Sequence, residues 1–239
     1  MPPSVPLYMY RRMLSSKSAS ASASSGTPLP RLRVVRAGAA AAGAGKHPSA
    51  AAIATVVNWA YRGKHPGGDQ LAWTGERHLL SGKRTTVEQL EAMLLRCDAP
   101  RPCEVMLLAL VADDMTTDGG GNFTGGRSKV LGTVHVQKLQ HHGECEIGMF
   151  SVDPDQQGRG VGGMLLHHAE TLAGDFFAAH KLVMHVLEGR NEIQAWYERC
   201  GYSVASGAPK IPFPFNPNTL SVPLVPKEML NFLRLEKLL

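Results

Sequence analysis

A glycine-rich segment in the second half of the chain has the residue types of an anion-binding loop. Between a strand-like and a helix-like segment, the chain runs Asp155-Gln156-Gln157-Gly158-Arg159-Gly160-Val161-Gly162-Gly163. The N-terminus of a helix offers backbone N–H groups without intrahelical partners, together with the positive end of the helix dipole. Glycines allow that backbone to approach a phosphate closely. The segment therefore predicts a phosphate-binding loop, and the alternative is a glycine turn that serves backbone conformation alone.

Two common nucleotide-binding motifs fit this segment poorly. Gly158, Gly160 and Gly163 satisfy the pattern GxGxxG of dinucleotide-binding folds. That motif belongs to an early βαβ unit with an acidic residue about 20 positions further on. Here the glycines follow a strand meander, and the corresponding position is occupied by Val183 instead of an acidic residue. A Walker loop needs Gly-Lys followed by Ser or Thr, and the chain has none. The segment is therefore expected to bind a phosphate ligand by neither the dinucleotide-binding motif nor a Walker loop.

The elements around the loop are predicted from the period of the apolar residues. Helix-like patterns cover 49–63, 86–96, 161–180 and 191–199, and a helical turn is expected around 76–80. Strand-like patterns cover 32–36, 104–111, 129–139, 144–152, 181–186, 202–205 and about 230–235, with a long hairpin loop over 113–128. This order indicates an α/β fold in which a mixed, largely antiparallel twisted sheet is flanked by helices.

The basic charge is concentrated at the start of the chain. Residues 1–68 carry nine Lys or Arg and no Asp or Glu, so the remainder is acidic although the formal net charge is +5. A nucleic-acid-binding domain spreads basic charge over its folded surface, so nucleic acid is not an expected partner. Residues 1–30 are rich in Ser and Ala, which predicts a disordered tail or a mitochondrial transit peptide. We therefore expect a leader over 1–30 and a single domain over 31–239.

Cysteine and histidine spacing favours neither a disulfide framework nor a metal site. The four cysteines are scattered without a CxxC pair, and no stretch approaches the roughly 18 apolar residues of a membrane-spanning helix. These features predict an intracellular protein, cytoplasmic or mitochondrial, with no metal and no membrane partner. Five histidines are expected at the surface: His135, His141, His142, His167 and His168.

Two motifs in order give the chain a family resemblance. The run from Gln157 to Gly162 is similar to the signature Gln/Arg-x-x-Gly-x-Gly/Ala of the GNAT superfamily of N-acetyltransferases. Residues 191–202 resemble its second motif, N-x-x-A followed by Y-E-x-x-G-F/Y, and residues 146–154 look like its fourth strand. The first third of the chain has no discriminating motif and carries an Ala/Gly run where relatives often have an acidic helix start. The resemblance implies a GNAT-like fold and direct transfer of an acetyl group from acetyl-CoA to a primary amine.

The resemblance also implies where acetyl-CoA would bind. The pyrophosphate is expected on the backbone of the glycine loop, at Gln157, Gly158, Arg159, Gly160, Val161, Gly162 and Gly163. The pantetheine arm is expected to pair, like an added strand, with Phe150, Ser151 and Val152. Asn191 matches a polar position near that arm, and the alternative for Asn191 is helix N-capping.

Two residues are expected to handle protons, by the same resemblance. Tyr197 matches the tyrosine that protonates the departing thiolate, a task that suits a neutral phenol, and the alternative is a core aromatic beside Trp196. Glu146 lies where histone-type relatives carry a general-base glutamate. Alternatively, Glu146 is an ordinary surface acid, Glu144 replaces it through a water molecule, or ordered water is the only base.

The acceptor amine is left open, as a small molecule or a peptide, and so is the oligomeric state. Acceptor choice is expected to come from the loops 62–84 and 206–223. The rival hypothesis is a catalytically silent acyl-CoA-binding module that acts as a sensor or scaffold.

Overall fold

A computed structural model of the chain describes residues 32–38, 48–64, 73–112, 128–141, 143–214 and 220–239. The predicted leader and nearly all of the predicted hairpin loop lie outside these residues. In the described part, no helix is long and apolar enough to cross a membrane.

The helices largely follow the predicted patterns. Helices α1 (Ala50–Arg62), α2 (Val87–Cys97), α3 (Val161–Phe177) and α4 (Asn191–Arg199) lie in the predicted segments. Ser49 caps α1, and Thr86 and Gln89 form a reciprocal capping box at α2. Helix α3 ends earlier than expected, because Ala178 adopts a left-handed conformation and the N–H of Ala179 donates to the carbonyl of Ala173.

The strands form one large sheet and a small second one. Their bounds are β1 (Leu32–Arg36), β2 (Leu80–Gly82), β3 (Glu104–Ala112), β4 (Ser128–Lys138), β5 (Glu144–Val152), β6 (Lys181–Leu187), β7 (Ser203–Val204), β8 (Ile211–Pro212), β9 (Ser221–Pro223) and β10 (Asn231–Leu238). The large sheet has the order β1-β3-β4-β5-β6-β10-β7, with β8 paired to β10, and the small sheet pairs β2 with β9. Within the described chain only β5 and β6 run parallel, so the predicted mixed, largely antiparallel sheet is confirmed.

The helices cover both faces of the large sheet. Helix α3 packs on one face with β4, β5 and β6, through apolar residues that include Leu165, Leu172 and Ile147. Helices α1 and α2 pack on the other face, through residues that include Ile53 and Leu90. We call these the α3 face and the α1 face. Apolar burial on both faces explains why β3 is a continuous apolar run.

Three short strands, β2, β8 and β9, were not predicted. The helical turn expected around 76–80 is a single turn, in which the N–H groups of Leu79 and Leu80 donate to the carbonyl of Glu76. Leu80 then begins β2, which pairs with Pro223 of β9 across 143 positions of sequence. Strands of two or three residues carry no readable period, so only the long-range pairing defines them.

Candidate active site

The two parallel strands β5 and β6 separate partway along their length. Glu144, Cys145 and Glu146 pair with Lys181, Leu182 and Val183, and no further pair of these two strands is found in the described chain. Beyond this point the strands are apart, and a cavity of about 440 Å3 opens between them. An opening in the middle of a sheet brings backbone groups and side chains from both faces to one site.

A β-bulge at Met149 decides which residues of β5 reach the cavity. Thr133 pairs with Ser151 whereas His135 pairs with Gly148, so β5 carries one extra residue here. Met149 has a φ of 41°, and its carbonyl accepts hydrogen bonds from the hydroxyls of Thr133 (2.9 Å) and Ser151 (3.3 Å). The extra residue reverses the alternation, so that Phe150 packs against the α3-face core although it lies four residues after Glu146.

The glycine loop enters α3 with an open N-terminus. Gly160 is the N-cap residue, with a φ of 82° and no side-chain capping bond, and Gly158 has a φ of 74°. A Cβ atom added to Gly158, Gly160 or Gly163 would meet nothing within 4 Å. The positive φ values explain two of the glycines, and the open space leaves the first-turn N–H groups of α3 accessible to an anion.

The cavity brings together most of the predicted cofactor-binding residues. It is lined from this set by Phe150, Ser151, Val152, Gln157, Gly158, Gly160, Gly162 and Gly163. Three others do not line it: Arg159 and Asn191 are exposed, and the Val161 side chain is buried in the core. Asn191 is also not the N-cap of α4, because Arg190 occupies that position. The capping alternative for Asn191 is therefore wrong.

Tyr197 lines the same cavity from α4. Its ring lies among aromatic neighbours, with centroid distances of 6.3 Å to Phe150, 5.0 Å to Trp196 and 5.9 Å to Tyr202. Burial raises the pKa of Tyr197 well above its usual value, so the phenol keeps its proton. A neutral phenol beside the cavity can donate a proton to a departing anion.

Glu146 contacts the cavity through a histidine that the sequence did not single out. Glu146 itself does not line the cavity, but His185 of β6 does. The Nδ1 atom of His185 lies 3.0 Å from Oε1 of Glu146. The signal available in the sequence was a histidine inside a predicted strand, and this signal does not distinguish a site residue from a packed one.

A buried ion-pair cluster forms one wall of the cavity. Glu76, in the segment after α1, receives hydrogen bonds from Arg62 (2.9 Å) and Arg190 (3.2 Å), and its side chain is 10% exposed. Gln157 donates from Nε2 to Oγ1 of Thr74 (2.9 Å) in the same segment. These bonds fix the segment against α1, the glycine loop and the start of α4. They join residues distant in sequence, which is why sequence patterns did not indicate them.

A second, polar cavity of about 320 Å3 lies on the α1 face, lined by residues that include Glu104, His135 and Glu146. The expectation that His135 lies at the surface is wrong, since its residue is 7% exposed and its Nε2 atom lies 2.7 Å from Glu104. Burial lowers the pKa of His135. Burial alone would raise the pKa of Glu104, but the hydrogen bonds from Arg96 and His135 outweigh it and lower that pKa.

Cys97 lies beside Glu104 and His135, at the end of α2. One donor atom each from Cys97, Glu104 and His135 lies within 4.8 Å of the other two. Burial raises the pKa of the Cys97 thiol to about 11, so the thiol is neutral at physiological pH. The Arg96 guanidinium already binds the carboxylate of Glu104. The arrangement is explained as an ion pair of Arg96 and Glu104, which joins α2 to β3, and a hydrogen bond between Glu104 and His135, which adds β4.

The comparison with protein families gives one match. Residues 90–202 match the model described as the acetyltransferase (GNAT) family. This range begins in α2 and ends at Tyr202, so it contains the bulge, the glycine loop and Tyr197. No curated protein matches the chain significantly.

The chain is similar to several solved structures at low sequence identity. An acetyltransferase of the GNAT family from Streptococcus pneumoniae is 14% identical with a TM-score of 0.52, over 87% of this chain and 100% of that chain. The spermidine/spermine N-acetyltransferase from Vibrio cholerae with manganese ions is 15% identical with a TM-score of 0.48, over 87% and 92% of the two chains. A nourseothricin acetyltransferase is 16% identical with a TM-score of 0.42, over 57% and 66%. The likeness to the Streptococcus pneumoniae structure, at 14% identity, shows the fold alone.

Proposed function

We propose that this chain, which belongs to the acetyltransferase (GNAT) family, is an acetyl-CoA-dependent N-acetyltransferase that acetylates a primary amine by direct attack. When bound, acetyl-CoA supplies an activated acetyl group as a thioester. The observation that carries the proposal is the open glycine loop at the N-terminus of α3, which faces the same cavity as Tyr197.

The glycine loop suits the pyrophosphate of acetyl-CoA. The N-terminus of α3 has no side-chain cap, and an added Cβ at Gly158 or Gly160 would enter open space. Both features favour a ligand that carries negative charge and needs close contact with the backbone. The bulge turns Phe150 and Val152 of β5 toward the α3 face. This end of β5 and the glycine loop therefore border the same cavity, and an extended ligand can contact both.

Tyr197 provides the proton for the departing thiolate in this proposal. Its phenol is neutral, lines the cavity and lies against Phe150 of β5. The amine must lose a proton to act as a nucleophile. We assign this step to the side of Glu146, which is joined by one hydrogen bond to His185 in the cavity wall.

The experiment is thiol release from acetyl-CoA in the presence of an amine panel: spermidine, phenethylamine, free lysine and a peptide with a free N-terminus. We expect release that depends on one or more amines, with the acetylated amine identified by mass spectrometry. Acetyl-CoA binding by calorimetry without release for any amine would support the silent binding module instead. Absence of binding would contradict both.

A further inference from the structure

His185 and Glu146 connect the two cavities of the protein. His185 lines the cavity between β5 and β6, and Glu146 lines the polar cavity on the α1 face. The 3.0 Å contact between His185 Nδ1 and Glu146 Oε1 is the link between them. The side chains of His185 and Glu146 therefore separate a ligand in the cavity between β5 and β6 from the polar cavity on the α1 face.

The hydrogen bond to Glu146 fixes the tautomer of His185. An ionised carboxylate only accepts hydrogen bonds, so Nδ1 of His185 carries the proton and Nε2 carries the lone pair. Nε2 of His185 is buried and has no hydrogen-bond partner among the described residues. A buried nitrogen lone pair without a partner is uncommon. Since other atoms of His185 line the cavity, Nε2 meets a ligand there only if the ring moves when the ligand binds.

The position of His185 in β6 places it opposite the glycine loop. Leu182, Met184 and Val186 belong to the α3-face core, so the alternating residues, His185 among them, lie toward the α1 face. The glycine loop and Phe150 lie on the α3 face. The imidazole therefore borders the side of the cavity that the proposed acetyl-CoA position leaves available to an acceptor.

We propose that Nε2 of His185 takes the proton from the acceptor ammonium and that Glu146 positions the ring and stabilises the imidazolium. The proposal rests on the proposed function, because it assigns the base of that reaction. Glu146 is then a positioning residue and His185 is the catalytic base.

The protons balance as follows. One proton passes from the ammonium to Nε2 of His185, which leaves a neutral amine. The same Nε2 proton passes to solvent before the next turnover, so the Nδ1–H tautomer is restored. The amine nitrogen forms the new C–N bond while the C–S bond breaks, and Tyr197 protonates the thiolate. The nitrogen loses a second proton, which restores the phenol of Tyr197. The net products are the acetylated amine, the free thiol and one proton.

Charged groups on neighbouring strands surround the pair. Arg234 of β10 is the register partner of His185, and it is bound to Glu144 (3.1 Å) and Glu236 (2.7 Å). Lys181 of β6 pairs with Glu144 (3.1 Å). The charge of Glu146 also acts on His135 of β4, where it opposes the lowering of the His135 pKa by burial. Arg234 and Lys181 thus have carboxylates of their own, whereas the carboxylate that contacts His185 is Glu146.

The first test is the pH profile of acetyl transfer with the best amine of the panel. His185→Gln should lower kcat/KM by about 10²–10⁴-fold at neutral pH, with acetyl-CoA affinity unchanged. The loss should disappear at high pH, where the free amine is already neutral. Glu146→Gln should lower kcat and move the acidic limb of the profile. The matched controls His167→Gln and Glu192→Gln change exposed residues and should keep the wild-type profile.

The second test does not require turnover. In ¹⁵N-histidine NMR spectra, the His185 ring, assigned by its absence in His185→Gln, should be the Nδ1–H tautomer in the wild type and should lose this preference in Glu146→Gln. An Nε2–H tautomer in the wild type, or a wild-type pH profile in His185→Gln with chemistry rate-limiting, would overturn the proposal. Neither result would affect acetyl-CoA-dependent transfer itself, which fails only if the wild type acetylates no amine.

Discussion

Glu146 and Phe150 lie four residues apart on β5 and point to opposite faces of the sheet. A regular strand would place them on the same face, and the bulge at Met149 separates them. Phe150 reaches the α3 face, whereas Glu146 lines the polar cavity on the α1 face. One extra residue therefore divides β5 into a part that borders the proposed cofactor and a part that borders the proposed acceptor side.

The bulge should depend on the Thr133 hydroxyl, which donates to the carbonyl of Met149. Thr133→Val removes the donor from a fully buried site and should cost about 1 kcal/mol of unfolding free energy. Acetyl-CoA affinity should fall as well, because Phe150 and Val152 lose their defined positions. Urea denaturation and calorimetry measure both effects. Thr171→Val is the matched control, since that hydroxyl is exposed on α3; equal effects of the two substitutions would contradict this role of Thr133.

Tyr197→Phe should preserve ring packing and remove only the proposed acid. Turnover should fall by about 10²–10⁴-fold, with acetyl-CoA affinity nearly unchanged. Steady-state kinetics and calorimetry separate the two quantities. Tyr202→Phe is the control: its hydroxyl donates to Glu170 (3.1 Å), so stability should change there and turnover should not. Full turnover in Tyr197→Phe, with chemistry rate-limiting, would exclude Tyr197 as the acid.

Long periodic elements were predictable from sequence, and local irregularities were not. The bounds of β5 and α4 were predicted to the residue, because Pro154 follows shortly after the last residue of β5 and α4 carries a strong helical pattern. The bulge at Met149 was not predictable, since the Thr133 hydroxyl that binds its carbonyl lies on the neighbouring strand. The contact between His185 and Glu146 joins residues 39 positions apart, so no local spacing indicates it.

The stability of the fold should fall on acidification because of Glu104 and His135. Both folded-state pKa values lie below the usual ones, so the unfolded chain binds protons more readily. The contribution of His135 is complete above its unfolded pKa of about 6.5 and is lost as the pH falls below it. The contribution of Glu104 is present above its unfolded pKa of about 4.3 and is lost at still lower pH.

The melting temperature measured from pH 7.5 to 4 tests this linkage. In His135→Gln the decline that begins near pH 6.5 should be reduced, although the variant is less stable overall. His167→Gln, at an exposed position, should keep the wild-type curve. A His135→Gln curve parallel to the wild type would show that another group causes the decline.

The most direct test of the proposed acetyl-CoA site is calorimetric titration of acetyl-CoA into two variants of Gly163. An added Cβ there meets nothing within 4 Å, so Gly163→Ala should fold and bind normally. Gly163→Asp places a carboxylate in the first turn of α3, which favours the helix but opposes a pyrophosphate at the same N–H groups. We predict that acetyl-CoA affinity falls about a hundredfold or more in Gly163→Asp, with the melting temperature of the free protein maintained. Wild-type affinity in Gly163→Asp would contradict the central claim that the glycine loop binds the pyrophosphate of acetyl-CoA.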